Sequence, residues 1–216
     1  MKKNIKNIIA IVFILLTGTT LKAQDAKYIG AMQSGLKMFS EAKTGADYVA
    51  ASNQFERIGT QVKTEWLPFY YAAYTQLINN TTLTNTDEKD AAMDKAQELI
   101  DKAEAINPKE SEIFSMKGYI KFMKIYVNPM ARMQSGMGAA ITDLETAKAL
   151  NPANPRPYFI LAQNAFYTPE AFGGGKNVAK PKFTEAAAKF DAFKTSNPMM
   201  PNWGVERNAS LLVECK

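Results

Sequence analysis

From about residue 25 onward, apolar side chains recur at spacings of three and four, and no stretch alternates convincingly over the length of a strand. That period predicts α-helix almost throughout. The expected elements are a helix at about 25–42 and another at 47–62, then three hairpins pairing 65–78 with 87–106, 110–127 with 136–150, and 155–167 with 177–195. A short closing helix within 203–215 follows Asn202-Trp203-Gly204, with Val205, Ala209, Leu212 and Val213 on one side. Asp47 and Asp87 suit helix N-caps, and Gly45 suits the end of the first helix.

Within the helical pattern a motif repeats. Ala96, Ile100, Ala103 and Pro108 obey A-x3-Φ-x2-A-x4-P, and 44 residues later Ala140, Leu144, Ala147 and Pro152 obey it again. Weaker copies are Ala51, Phe55 and Ile58, and Ala179, Phe183 and Ala186, the last in a helix expected to run on to Asn197-Pro198. Three or four residues make about one turn, so the two alanines and the large residue share a face. The alanines admit a neighbouring helix closely and the large side chain fills the gap beside them. Asn-Pro then ends the helix, because proline lacks an N–H and disfavours a helical residue before it.

Each such helix follows one rich in aromatic and small residues: Phe69, Ala72 and Ala73, then Phe114 and Gly118, then Tyr158, Leu161 and Ala162. In this the chain resembles the tetratricopeptide repeat (TPR) family over about residues 45–198. The resemblance implies an all-α, right-handed α-α superhelix of antiparallel hairpins, closed by a C-terminal capping helix. The unit is longer than the family's, because segments are inserted between paired helices at Asn79–Thr86, Asn128–Ser135 and Thr168–Lys176. All three fall at the same point of the repeat, so they are expected to line one edge of the stack.

Residues 1–23 read as a secretory signal peptide, leaving 24–216 as one repeat domain. Lys2, Lys3 and Lys6 precede an unbroken apolar run from Ile8 to Leu16, and Leu21-Lys22-Ala23 puts a small residue at the cut. Nine apolar residues are too few to cross a bilayer, which takes about 20. An exported, periplasmic or secreted protein with no membrane span after cleavage is expected. The reading also changes the charge. The chain carries 26 basic and 21 acidic residues, but four of the lysines and no acid lie in the leader, so the remainder is nearly neutral. No basic patch for nucleic acid survives.

Composition removes much chemistry. With no histidine and one cysteine, Cys215, the chain cannot build a His/Cys zinc site, a Ser-His-Asp triad, a Cys-His pair or an internal disulfide. Cys215 could pair between copies in a homo-oligomer, but a buried thiol in a final helix is the expected state. Phe172-Gly173-Gly174-Gly175-Lys176 is not a phosphate loop, since Asn177 follows the lysine and a helix, not a strand, precedes it. It reads as a tight turn between helices with Phe172 tucked underneath. FGGGK followed by A-x3-F-x2-A is similar to exported bacterial repeat proteins, including the periplasmic TPR component associated with TRAP transporters. Asp87, Glu88, Asp90 and Asp94 cluster at a helix start, where they suit the macrodipole, and Glu98 with Lys102 is an i,i+4 pair. No EF-hand loop, catalytic constellation, metal set or cofactor site is legible.

The first helix of each hairpin carries more aromatics than one buried face needs. Trp66, Phe69, Tyr70, Tyr71 and Tyr74 crowd one of them. In the TPR family this helix lines a concave groove. Carried over from the Gly118 and Ala162 registers, the groove positions are Tyr119, Phe122, Met123, Arg156, Phe159, Gln163 and Tyr167, with Tyr70 and Tyr74 from the first hairpin. Such a surface suits an extended peptide or partner protein, and equally a small apolar ligand. Two readings follow: a non-enzymatic exported binding scaffold for a peptide or protein, or an accessory component of a periplasmic solute transport system holding a small ligand. A groove open at both ends favours the first and a closed pocket the second. An enzyme is the least supported reading.

Overall fold

The computed structural model describes residues 26–216, so the leader reading lies outside the described residues. The described residues form an all-α superhelix: α1 (26–41), α2 (Gly45–Gln61), α3 (Leu67–Asn80), α4 (Thr86–Ile106), α5 (Ser111–Val127), α6 (Pro129–Leu150), α7 (Arg156–Tyr167), α8 (Lys176–Ala192) and α9 (Val205–Glu214). None of these helices is long and apolar enough to cross a membrane. Each helix from α2 to α8 packs on the next, while α3 also touches α5 and α5 touches α7. Thus α3, α5 and α7 form an inner layer and α2, α4, α6 and α8 an outer one.

The repeated alanines are the joints between the layers. Ala96, Ala103, Ala140, Ala147, Ala179 and Ala186 are all fully buried, as are Ile100, Leu144 and Phe183 between them. Opposite Ala140, Gly118 has no room for a side chain: a Cβ there would lie 2.6 Å from Leu144 Cγ and 3.0 Å from the Ala140 carbonyl oxygen. The two Asn-Pro stops behave alike. Asn107 and Asn151 each donate a backbone N–H to the carbonyl four residues back, Ala103 and Ala147, both at 3.0 Å. Proline then turns the chain out of the helix.

Several local expectations are corrected. Gly45 does not end α1; it opens α2. The N-cap of α2 is Thr44, which accepts from the Asp47 N–H at 3.2 Å while Asp47 accepts from the Thr44 N–H at 2.8 Å, a capping box that puts Asp47 inside the helix. The backbone N–H groups of Lys43 and Thr44 and the Thr44 hydroxyl hold the Asp47 carboxyl below its ordinary value. Asn85, not Asp87, caps α4, accepting from the N–H groups of Asp87 and Glu88. The expected inter-helix segment at 128–135 is helical from Pro129 onward. Asn128 ends α5 and caps α6, and Pro129 stands at the first helical position, where its fixed φ favours a start. Arg132 anchors these added turns, reaching Asp90 of α4 through both guanidinium nitrogens at 2.5 and 2.7 Å and the Lys124 carbonyl at 3.0 Å.

At the far end, α8 stops at Ala192, five residues before Asn197, with Phe193 already extended. A strap without regular structure follows, running from 193 to 204, and α9 then packs back on α8 and α7 as the capping helix. Its buried side is Asn208, Leu211 and Cys215, whereas Val205, Ala209 and Val213, expected there, face outward. Asn208 explains the change of face: its side-chain N–H donates to the Phe183 carbonyl at 3.1 Å and fixes the rotation of α9. Phe172 is not tucked underneath the glycine turn; it is 70% exposed. The glycines themselves are needed. Gly173 and Gly175 have φ of 81° and 96°, and a Cβ on Gly174 would lie 2.2 Å from the Thr168 carbonyl oxygen.

Candidate functional site

The inner layer presents aromatic rows at helical spacing: Tyr74 and Ile78 on α3, Tyr119, Met123 and Tyr126 on α5, and Phe159, Gln163 and Tyr167 on α7. Positions four apart stand one above another, so the rows form a wall. Together with Trp203 and Gly204 of the strap and Arg207 of α9, they line a half-open cavity of about 540 Å³. That lies in the range of pockets that take small organic ligands, about 300–1,000 Å³.

The strap lies in the groove itself. The Tyr71 hydroxyl donates to the Met199 carbonyl at 2.8 Å, the Trp203 indole N–H donates to the Tyr70 hydroxyl at 2.9 Å, and Arg156 donates to the Pro201 carbonyl. The Trp203 ring stacks on Tyr74 with centroids 5.0 Å apart and on Tyr119 at 5.8 Å. Beyond the Tyr74–Trp203 stack is a second cavity of about 460 Å³, between α1 and the strap. At the opposite end Tyr126 and Tyr167 separate the first cavity from an outward-facing apolar one of about 550 Å³, which Pro129, Met130, Met133, Pro169 and Phe172 line. Two of the three inserted segments therefore meet at one place.

Of the nine groove positions read from the sequence, the fold brings Tyr74, Tyr119, Met123, Phe159, Gln163 and Tyr167 to the 540 Å³ cavity. Tyr70, Phe122 and Arg156 are buried to 1% exposure or less, and two of them face the strap: Tyr70 accepts from Trp203, and Arg156 holds Pro201. The sequence reading missed Tyr126, Trp203 and Arg207. Tyr126 continues the Tyr119–Met123 row and was findable from its spacing. Trp203 lies in a proline-flanked strap with no period to betray which way its ring points.

The wall is polar only in places and neutral almost everywhere. Gln163 donates to the Tyr119 hydroxyl at 3.1 Å, and Tyr126 donates to Asn164 at 2.8 Å. Burial pushes the phenols of Tyr74, Tyr119 and Tyr126 above their ordinary value, with neighbouring tyrosines adding to the effect at Tyr74 and Tyr126 and the Gln163 hydrogen bond opposing it at Tyr119. They are protonated at neutral pH. Among the described residues of the lining, Arg207 is the one that carries a charge, and it donates to the Tyr167 hydroxyl at the rim. Met123 and the phenols are the side chains there that could approach a metal ion carried inside a ligand.

Among solved structures, the chain is similar to the HusA haemophore from Porphyromonas gingivalis, at 31% identity over 88% of this chain and 92% of that one, with a TM-score of 0.76. A thermophilic TPR protein from Thermus thermophilus aligns over 86% of this chain and 99% of its own at 16% identity and a TM-score of 0.42, too slight a likeness to define a common fold. No protein-family profile matches the chain, and no curated protein matches it significantly.

Proposed function

The chain belongs to the family of the HusA haemophore, and on that premise we propose that it is a non-enzymatic binding protein whose cargo is a haem-like planar ring. The observation that carries the proposal is the 540 Å³ cavity walled by Tyr74, Tyr119, Tyr126, Tyr167 and Trp203. Flat π-faces suit a flat π-ligand: aromatic pairs contribute about 0.5–1.5 kcal/mol each beyond the area they bury. Arg207 at the rim would pair with a ring carboxylate, because charge-assisted bonds to guanidinium are among the strong ones. The protonated phenols make poor iron ligands, so the ring is held by stacking and burial.

The strap decides between a ring and an extended peptide. A peptide laid along the full groove would need the positions of Tyr70, Tyr71 and Arg156, and the chain's own Met199–Trp203 segment already fills them. What remains is a half-open pocket stopped at one end by the Tyr74–Trp203 stack, which supports a small cargo and with it the solute-carrier side of the two readings. The TPR likeness then describes how the hairpins are built. With residues 1–23 as a signal peptide, the carrier works outside the cytoplasm.

Equilibrium titration of the purified protein with haem, followed by the Soret band and by tryptophan fluorescence, tests the proposal. A saturable one-to-one complex that weakens at least tenfold in Tyr119→Ala supports it. Linear, unsaturable absorbance overturns it.

A further inference from the structure

We infer that Trp203 is the specificity-determining wall of the cargo cavity, a plate that fixes how wide a ring the protein accepts. The inference rests on the carrier reading for the cargo and on geometry alone for the partition. Tyr74 and Trp203 are the two residues that line both the 540 Å³ cavity and the 460 Å³ cavity behind it. Their rings are stacked at 5.0 Å and 15°, so the pair stands as one double wall. The two halves are held differently. Tyr74 sits in the middle of α3. Trp203 is delivered by the strap.

Four contacts aim the indole. Its N–H donates to Tyr70 at 2.9 Å, its ring stacks on Tyr119 at 5.8 Å and meets Phe159 in a T-shaped pair at 6.3 Å, and the Arg156 guanidinium stands over it at 5.4 Å. The turn that follows is equally constrained. Gly204 has a φ of 107°, and a Cβ there would lie 2.7 Å from the Phe190 ring, so only glycine lets the chain pass from the strap into α9 at this angle. The strap thus behaves as a fitted insert whose Trp203 side chain divides the groove. With the plate removed, Tyr74 alone stands between two chambers whose combined volume is about twice that of the first.

The test compares the native chain with Trp203→Ala and Trp203→Phe. The probes are haem, a tetra-arylporphyrin with four sulfonated arms that widen the ring, and the small apolar dye 1-anilinonaphthalene-8-sulfonate. In Trp203→Ala the wide porphyrin is expected to bind at least tenfold more tightly than to the native chain, and the dye stoichiometry to rise from one to two. Trp203→Phe keeps a flat ring on Tyr74 and is expected to keep the exclusion. Circular dichroism checks the fold, and Trp203→Leu, with an apolar side chain under Arg156, replaces the alanine variant if that variant does not fold. Wide-ring affinities within twofold of one another, with unchanged dye stoichiometry, would overturn the inference. If haem fails to bind the native chain while the dye stoichiometry still rises, the cargo is wrong and the partition stands.

Discussion

Arg156 and Glu112 form an ion pair of 2.7 Å in which each side chain is only 2% exposed. The guanidinium that neutralises Glu112 of α5 also donates to the Pro201 carbonyl of the strap. One side chain of α7 therefore ties the inner layer to the segment that closes the groove. The pair does not lie in the cavity wall, yet it holds the strap that carries Trp203.

Arg156→Met removes the counter-charge of Glu112, so the carboxyl must keep its proton or stay as a bare buried charge, and the loss should grow with pH towards the roughly 3–5 kcal/mol of a buried pair broken from one side. Chemical denaturation should show that loss. Amide exchange should speed up first over residues 199–204. The double variant Arg156→Met/Glu112→Leu should recover much of the stability, since no charge then remains buried.

Burial pushes the Glu112 carboxyl up to about 7 from an ordinary 4.5, even though Arg156 and the Tyr70 hydroxyl pull it down. A folded-state value above the unfolded one means that the native state holds the extra proton between those limits. The contribution of Glu112 to stability is complete below about pH 4.5 and is lost as pH rises through 7. The stability of Glu112→Gln relative to the native chain should accordingly increase between pH 4.5 and 7. A difference that stays flat, or falls, over that window would contradict the assignment.

Gly118 and Ala140 mark the tightest joint between α5 and α6. Since a Cβ on Gly118 would come within 3.0 Å of backbone, Gly118→Ala should cost about 1–3 kcal/mol by overpacking. Ala140→Leu and Ala96→Leu should each cost a similar amount. Unchanged melting temperatures in all three would mean that the helices meet elsewhere.

These joints were legible in the sequence because close approach of two helices demands small side chains at a fixed spacing, and Ala96, Ala103, Ala140 and Ala147 advertise it. The rows on α5 and α7 came instead from the TPR resemblance, carried over through the Gly118 and Ala162 registers, and of those positions Tyr119, Met123, Phe159, Gln163 and Tyr167 lie together. What escaped depends on partners distant in the chain. The start of α6 rests on Arg132 reaching Asp90, 42 residues away. The face of α9 rests on Asn208 finding the Phe183 carbonyl. The role of Arg156 was hidden because a groove register cannot foresee that the chain's own strap will fill part of the groove.

Arg207 supplies the charge at the cavity rim. Arg207→Gln should weaken haem binding about tenfold, equivalent to about 1.4 kcal/mol. The dimethyl ester of haem, with its carboxylates masked, should bind the native chain and the variant alike. Equal loss for both ligands would move the effect from charge to packing against Tyr167.

On the proposed reading stacking and not coordination holds the ring, so the metal-free porphyrin should bind within about threefold of haem, a difference below about 1 kcal/mol. Strict dependence on iron would instead require Met123 or an ionised phenol at the metal.

The most direct measurement is native mass spectrometry of the protein purified without denaturation from its own cells. The account predicts a recurrent bound mass equal to one tetrapyrrole per chain, lost in the Tyr119→Ala variant. A stable polypeptide partner in its place, with the cavity empty of any small molecule, would contradict it.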